Sequence, residues 1–189
     1  MNIVSTLTTD HRNVDSLFKR FEATAATDLP GLAHLRDLIL EQLSIHAEIE
    51  EQTLYPALRG DEGEDDVLEA LEEHHAVKAV LAELERMGPD AERFRAKMQV
   101  VIDMVRHHVE EEEGDGGLFD LARRRLGPDE MEAMAERAEQ LRAAGPKRPH
   151  PLSPDQPPWN VLIGVPVAIA DHVITTGRKI LDGSLLKSG

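Results

Sequence analysis

The sequence predicts an all-α protein: an antiparallel up-and-down four-helix bundle with an extra C-terminal helical segment. Three observations support this fold class. Aromatic residues, which are enriched in β-strands, make up only 3% of the 189 residues. Glu, Ala, Leu and Arg are abundant, and all four favour helices. Apolar residues recur at alternating spacings of three and four in four separate segments, as expected when one face of each helix is buried.

The first two predicted helices are separated by Pro30–Gly31, which break the chain. The apolar stripe of the first helix consists of Val4, Leu7, His11, Val14, Phe18 and Phe21. The stripe of the second helix consists of Leu32, Leu35, Ile39, Leu43, His46, Glu50 and Leu54. Pro56 marks the end of this segment. A short connection between two helices favours an antiparallel pair.

The third and fourth predicted helices follow the acidic loop at residues 60–66 and are separated by Gly88–Pro89. The third stripe consists of Val67, Leu71, His74, Val77, Leu81 and Leu84. The fourth consists of Phe94, Met98, Val101, Val105 and His108. Four such helices complete the predicted bundle.

The rest of the chain divides into a trailing helix, a linker and an apolar tail. A helical pattern restarts after Gly127–Pro128, so we assign residues 1–143 to the bundle with its trailing helix. Residues 144–160 are rich in proline and form a predicted linker. Residues 161–189 form an apolar, amphipathic C-terminal segment. We expect residues 161–187 to support self-association or docking to a partner.

Composition excludes several classes of function. The formal net charge of −15 repels phosphate backbones, so we expect no nucleic-acid partner. The chain has no cysteine, which excludes disulfides, iron–sulfur clusters and thiol catalysis. The N-terminus has no signal-peptide pattern, and no apolar stretch is long enough to span a membrane. A cytoplasmic location is therefore expected.

Each apolar stripe contains a histidine where an aliphatic residue is expected. A single histidine of this kind is usually a satisfied core residue, but four in one bundle need buried partners. In two stripes a glutamate follows the histidine by four residues, as His46–Glu50 and His108–Glu112, so both side chains share one helix face. The unusual helix end MVRHHVEEEEGDGG is explained if at least one glutamate turns inward onto a cation.

Helical phase selects one histidine from each adjacent pair. His108 is in phase with the apolar stripe before it, whereas His107 is in phase with Asp103. His74 is in phase with its stripe, whereas His75 is in phase with Glu72. We therefore predict that His74 and His108 face the bundle axis. Three other histidines are predicted to lie at the surface: His34, His150 and His172.

Histidine and glutamate ligands without thiolates favour iron, manganese or zinc over calcium or magnesium. A single zinc normally takes three or four protein ligands, so six candidates are too many. Two His-x-x-x-Glu helices facing two further histidine helices resemble the cores of carboxylate-bridged di-iron bundles. In such an arrangement two glutamates bridge the metal ions, and the histidines occupy terminal positions.

The ordered motifs resemble those of the hemerythrin HHE cation-binding family. The resemblance covers roughly residues 1 to 143 and is carried by four stretches: TTDHRNVDSLF, HAEIEEQTLYPAL, EEHHAVKAVLAEL and HHVEEEE followed by LF. It implies an antiparallel bundle around a non-haem, oxo- or hydroxo-bridged site with two Fe ions. By position, the matching metal ligands are His11, His46, Glu50, His74, His108 and Glu112. Glu50 and Glu112 are the expected bridges.

The resemblance implies a binding protein that engages O2, peroxide or NO in oxygen or iron storage, sensing or oxidative-stress defence. The alternative is a di-iron enzyme that consumes hydrogen peroxide, as a catalase or peroxidase does, or oxidises iron. A third possibility is an interaction protein with merely structural histidines, which would hold no stoichiometric metal.

The sequence departs from the family pattern at two places. Oxygen-carrying hemerythrins have a second histidine one turn after the position of His74, where this chain has Lys78. One iron would therefore keep an open position, or recruit His75, Tyr55 or water. The insertion of GDGG before Leu118 predicts an irregular end to the fourth helix.

Overall fold

The computed structural model describes residues 1–144, in which every regular element is helical. Four long helices are α1 (Ile3–Ala23), α2 (Leu29–Gln52), α4 (Glu64–Arg86) and α5 (Phe94–Glu113). The short helix α3 (Leu54–Leu58) and a 3-10 turn (Asp61–Gly63) connect α2 to α4. Two further helices, α6 (Leu118–Arg125) and α7 (Pro128–Ala144), follow the bundle. The predicted all-α bundle with an additional helical segment is confirmed.

Local capping sets where the first two helices begin. Asn2 and Ser5 form a capping box at α1, in which Asn2 Oδ1 accepts from the Ser5 backbone N–H at 2.9 Å. At α2, Asp28 Oδ1 accepts from the Gly31 backbone N–H at 3.0 Å, and Pro30 lies in the first turn. Pro30 therefore starts the helix instead of merely interrupting the chain.

The apolar core has two parts, and their composition reveals the antiparallel arrangement. The first cluster joins the start of α1, the end of α2 and the start of α4, with α3, α6 and α7 packed on it. The second joins the end of α1, the start of α2, the end of α4 and the start of α5. In each cluster, the start of one bundle helix therefore packs beside the end of the next, as in an up-and-down bundle. A layer of buried polar side chains lies between the two clusters.

The connection after α5 is irregular, as the GDGG sequence predicts. α5 ends at Glu113, and Gly116 adopts a positive φ of 82°, which a residue with a Cβ rarely adopts. A Cβ at Gly117 would clash with the backbone carbonyl of Glu111. The turn brings Phe119 into the core, where its ring stacks on the imidazole of His11 at 5.5 Å between centroids.

The structure describes the predicted bundle with its trailing helix, but not the predicted linker and tail that follow. The predicted linker from residue 145 onward and the tail at residues 161–189 lie outside the described residues, so the docking role of residues 161–187 stays a prediction. Of the helices formed by residues 1–144, none combines the length and the hydropathy needed to cross a membrane.

Candidate metal centre

Four bundle helices each place one histidine in the polar layer between the two apolar clusters. α2 and α5 each add a glutamate one turn after the histidine. The six side chains are all buried, and they are His11, His46, Glu50, His74, His108 and Glu112. The structure therefore brings together every residue that the sequence pattern selects. The neighbouring His75 and His107 are exposed, as helical phase predicts.

The four histidines form two pairs through their inner ring nitrogens. His11 Nε2 lies 3.1 Å from His46 Nε2. His74 Nε2 lies 3.3 Å from His108 Nε2. Two neutral imidazoles that both present lone pairs at such distances repel each other unless a proton or a metal cation lies between them.

The two glutamates lie between the histidine pairs. Glu50 Oε2 is 3.1 Å from Nε2 of His46 in the first pair and 3.3 Å from Nε2 of His74 in the second pair. Glu112 Oε2 is 3.5 Å from the Nε2 atom of the remaining member of each pair. Each carboxylate thus faces both pairs, which is the arrangement that a bridging ligand requires.

The outer nitrogen of each imidazole, Nδ1, faces a carboxylate from another helix. The distances are 2.7 Å from His11 to Glu113, 2.9 Å from His74 to Glu51, 2.7 Å from His108 to Glu73 and 3.8 Å from His46 to Asp10. We refer to Asp10, Glu51, Glu73 and Glu113 as the outer carboxylates. A carboxylate accepts only from Nδ1–H, so the three contacts of 2.7–2.9 Å favour, in the neutral imidazole, the tautomer whose Nε2 lone pair points inward.

The polar layer is electrostatically incomplete. Three buried atoms find no hydrogen-bond partner among the described residues: His46 Nδ1, Glu50 Oε1 and Glu112 Oε2. Burial, together with the charge of Glu50, raises the pKa of Glu112 to about 7. Leaving such atoms unpaired in the interior is costly, and a bound cation would satisfy both carboxylates at once.

The buried carboxylates and burial shift the pKa values of the histidines in opposite directions. Burial alone would lower the pKa of His46, but the carboxylates of Glu50, Asp10 and Glu112 together outweigh burial and raise this pKa to about 10. Hydrogen bonds to Glu50 and Glu51 likewise overcome burial and raise the pKa of His74 to about 9. Burial, with the neighbouring charge of His46, lowers the pKa of His11 to about 4. One histidine of each pair, His46 in the first and His74 in the second, is therefore protonated at neutral pH in the metal-free protein.

The donor set fits a pair of transition-metal ions. The ligand atoms of His11, His46, Glu50 and Glu112 all lie within 4.8 Å of one another, and so do those of a second group of Glu50, His74 and His108. Glu50 belongs to both groups. Nitrogen and carboxylate ligands of this kind suit iron, manganese or zinc.

Tyr55 lies inside the layer, whereas sequence reasoning described it as a packing residue close to the site. Its buried hydroxyl donates to Glu112 Oε1 at 2.8 Å and lies 3.3 Å from His74 Nε2. Burial and the nearby carboxylates raise the pKa of Tyr55 well above its usual value, so the phenol keeps its proton. Because His75 is exposed, Tyr55 is the better placed of the two residues considered for an open coordination position.

Lys78 does not simply leave a gap. Its ammonium group donates to both oxygens of Glu51, at 2.5 and 2.7 Å, and Glu51 Oε1 is also the oxygen that faces His74 Nδ1 at 2.9 Å. Sequence reasoning missed the outer carboxylates, although each is a direct neighbour in sequence of one of the six predicted ligands.

Two cavities adjoin the layer. A cavity of about 30 Å3 is bounded by the four histidines and by aliphatic side chains such as Val77, Leu81 and Val105. A second cavity of about 280 Å3 reaches His108 and Glu112. The described residues that line it include six carboxylate side chains and no lysine or arginine: Asp66, Glu69, Glu73, Glu111, Glu112 and Asp115.

The fold and the polar layer define a helical-bundle protein with a buried histidine–carboxylate centre. The sequence model of the hemerythrin HHE cation binding domain matches residues 2–116, and the chain belongs to this family. The family is characterised by cation binding. The structure of the helix bundle and its His/Glu cluster agree with that property.

Two relatives and one solved structure extend the comparison. A DNA nickase of Nostoc sp. is 32% identical over 135 residues, which are 71% of this chain and 37% of that protein. An uncharacterized hemerythrin-like protein of Schizosaccharomyces pombe is 25% identical over 87% of this chain and 80% of its own length. The crystal structure of a hemerythrin HHE cation binding domain-containing protein from Mycobacterium kansasii superposes with a TM-score of 0.59. It is 22% identical and covers 76% of this chain and 88% of its own, which supports the fold.

Proposed function

We propose that the protein binds two iron ions through the six residues predicted from the sequence. The observation that carries this proposal is the position of the two glutamates. The Oε2 atom of each glutamate faces one histidine from the first pair and one from the second. Glu50 and Glu112 would be the bridges, and each metal would take one histidine pair as terminal ligands. The unpaired oxygens of both glutamates agree with a role in binding cations.

We infer that the bound iron engages a small molecule such as O2, NO or peroxide, in oxygen or iron storage, sensing or oxidative-stress defence. A pair of iron ions supplies reversible one- and two-electron chemistry toward such molecules. The cavity of about 30 Å3 beside the histidines has room for a molecule of this size but not for a larger substrate. Most of its remaining lining is aliphatic, which favours uncharged diatomic ligands over charged ones. We therefore rank binding of O2 or NO above turnover of peroxide.

Metal analysis of ligand variants tests the proposal. We expect about two irons per chain in the wild type, because two carboxylates are placed between the two histidine pairs. Glu112→Ala should lose more iron than His11→Ala, since a bridge serves both ions while water can replace a terminal imidazole. His34→Ala, which removes an exposed histidine on α2, is the matched control and should keep full iron.

The melting temperature should follow iron content, because metal binding stabilises the folded bundle. Equal iron content and equal melting temperature in Glu112→Ala and the wild type would contradict the bridging role. A single zinc at full occupancy, without near-ultraviolet iron absorption after aerobic iron loading, would overturn the di-iron proposal.

An enzymatic function at the same site is the second candidate. The acidic cavity of about 280 Å3 gives cations a route to Glu112 and His108, which favours iron oxidation over peroxide turnover among the enzymatic possibilities. Consumption of hydrogen peroxide or ferrous iron by the iron-loaded protein, measured against the metal-free protein, separates enzyme from binder. Multiple turnovers per iron pair would establish the enzyme.

The name of the Nostoc relative, a DNA nickase, raises a nucleic-acid function as a further candidate. The chain spans about 37% of that relative's length. Its net charge of −15 opposes binding to a phosphate backbone. We expect no nicking of supercoiled plasmid and no retardation of DNA at low salt, and nicking by the iron-loaded protein would refute this.

A further inference from the structure

The outer carboxylates occupy a regular position in the sequence. Each is the direct neighbour of a proposed ligand, in the pairs Asp10–His11, Glu50–Glu51, Glu73–His74 and Glu112–Glu113. On α1 and α4 the outer carboxylate precedes the ligand, whereas on α2 and α5 it follows the ligand. α1 and α4 run in one direction along the bundle, and α2 and α5 run in the other.

This alternation has a geometric meaning. Successive residues of a helix are rotated by about 100° around its axis. A step backward on an ascending helix and a step forward on a descending helix turn the side chain in the same sense when viewed along the bundle. All four outer carboxylates should therefore point away from the bundle axis toward the next helix in one common circular direction.

The observed contacts follow that circle. Asp10 of α1 faces His46 of α2, and Glu51 of α2 faces His74 of α4. In the second half of the circle, Glu73 of α4 faces His108 of α5, and Glu113 of α5 returns to His11 of α1. Three of these four contacts have hydrogen-bond distances of 2.7–2.9 Å, and the contact of Asp10 is longer, at 3.8 Å.

We propose that the outer carboxylates form a closed ring of positioning residues, in which each helix orients the histidine of the next. Glu51, Glu73 and Glu113 each accept from Nδ1–H, fix the rotation of the imidazole and leave Nε2 directed inward. Asp10 lies 3.8 Å from His46 Nδ1 and acts on that ring through its charge. The consequence for metal affinity rests on the proposed function, but the orientation itself does not. The ring is distinct from the six ligands because its members face the outward nitrogen, Nδ1, of each histidine.

Basic residues support three members of the ring. Arg142 of α7 donates to Asp10 Oδ2 at 2.8 Å, and Lys78 donates to both oxygens of Glu51. Arg12 donates to Glu113 at 2.5 Å. Glu73 has the most exposed side chain of the four, at 24%, so water can solvate its charge. Lys78 thus acts on the centre as the counterion of a carboxylate, and the trailing helix reaches the centre through Arg142.

The experiment uses side-chain nitrogen NMR of the histidines in the metal-free full-length protein. The ring predicts that Glu73→Ala affects His108 on the next helix and not His74, its own neighbour in sequence. The Nδ1–H signal of His108 should be lost or exchange much faster, while that of His74 is retained. Glu73→Gln, which keeps an acceptor, should restore the signal in part. Glu72→Ala, which truncates an exposed neighbour, should leave all four histidines unchanged.

A change at His74 instead of His108, an equal change at all four histidines, or no change would overturn the ring. If Glu73→Ala does not fold, Glu113→Ala asks the same question of His11. After iron loading, Glu73→Ala should bind iron roughly 10- to 100-fold more weakly than Glu72→Ala. A wild-type protein that binds no iron would refute the proposed function, while the NMR result on the metal-free protein would still decide the ring.

Discussion

Replacing Lys78 by methionine should destabilise the metal-free protein by about 2–3 kcal/mol. The Glu51 side chain is 1% exposed, and Lys78 donates to both of its oxygens at 2.5 and 2.7 Å. Removing one partner of a buried ion pair costs roughly 3–5 kcal/mol, because the remaining charge is left uncompensated. We expect a smaller loss here, since His74 Nδ1 remains 2.9 Å from Glu51 and Lys78 is itself 13% exposed.

Urea unfolding of the metal-free protein measures this loss, and two further variants test its cause. Adding Glu51→Gln to Lys78→Met should recover most of the stability, because no buried charge is then left alone. Lys97→Met is the matched control: Lys97 is 17% exposed and pairs with Glu83 at 2.5 Å, but the Glu83 side chain is 62% exposed and stays solvated. Equal losses in Lys78→Met and Lys97→Met, or a double variant that shows the sum of both single losses, would refute the reasoning.

Three further predictions concern the centre itself. His108→Ala should lose at least one iron, while His107→Ala should keep nearly all of its iron because His107 is exposed. Iron analysis of both variants checks this. Loss of iron in His107→Ala alone would contradict it. Binding of a divalent metal at pH 8 should release about two protons, because the pKa values of about 10 for His46 and about 9 for His74 keep both protonated in the metal-free protein. The apparent affinity for the metal should therefore rise with pH. Calorimetry in buffers of different ionisation enthalpy counts the released protons. A count near zero would exclude these two histidines as ligands. Tyr55→Phe should lower the free energy of unfolding of the metal-free protein by roughly 1–3 kcal/mol, because Glu112 Oε1 loses its buried donor; an unchanged urea midpoint would contradict this.

The parts of the structure that were predictable from sequence are those that a single helix determines. The periodic stripes identified all four bundle helices, and phase separated the buried His74 and His108 from the exposed His75 and His107. Both properties depend only on the rotation per residue within one helix. The inward position of Glu112 followed from the same four-residue spacing. Its role as a metal ligand stays a proposal.

The parts that sequence reasoning missed involve contacts between helices. Lys78 was considered only as a missing ligand, because its partner Glu51 lies on a different helix, 27 residues earlier. The second helix also ends earlier than the stripe indicates, at Gln52, and Tyr55 lies on the separate short helix α3. That break re-aims the chain and turns the Tyr55 hydroxyl toward Glu112, which no periodicity within α2 could indicate.

The outer carboxylates fall between these two cases. Their direction around each helix is fixed by sequence, because a residue adjacent to an inward-facing ligand is rotated by about 100° from it. Whether that direction meets a histidine depends on the order and the orientation of the neighbouring helices. Asp10 precedes His11 on α1, whereas Glu51 follows Glu50 on α2. Because α1 and α2 run in opposite directions in an up-and-down bundle, both carboxylates are expected to point in the same direction around the bundle. The ring was therefore encoded in the combination of register and topology, and neither one alone was sufficient to reveal it.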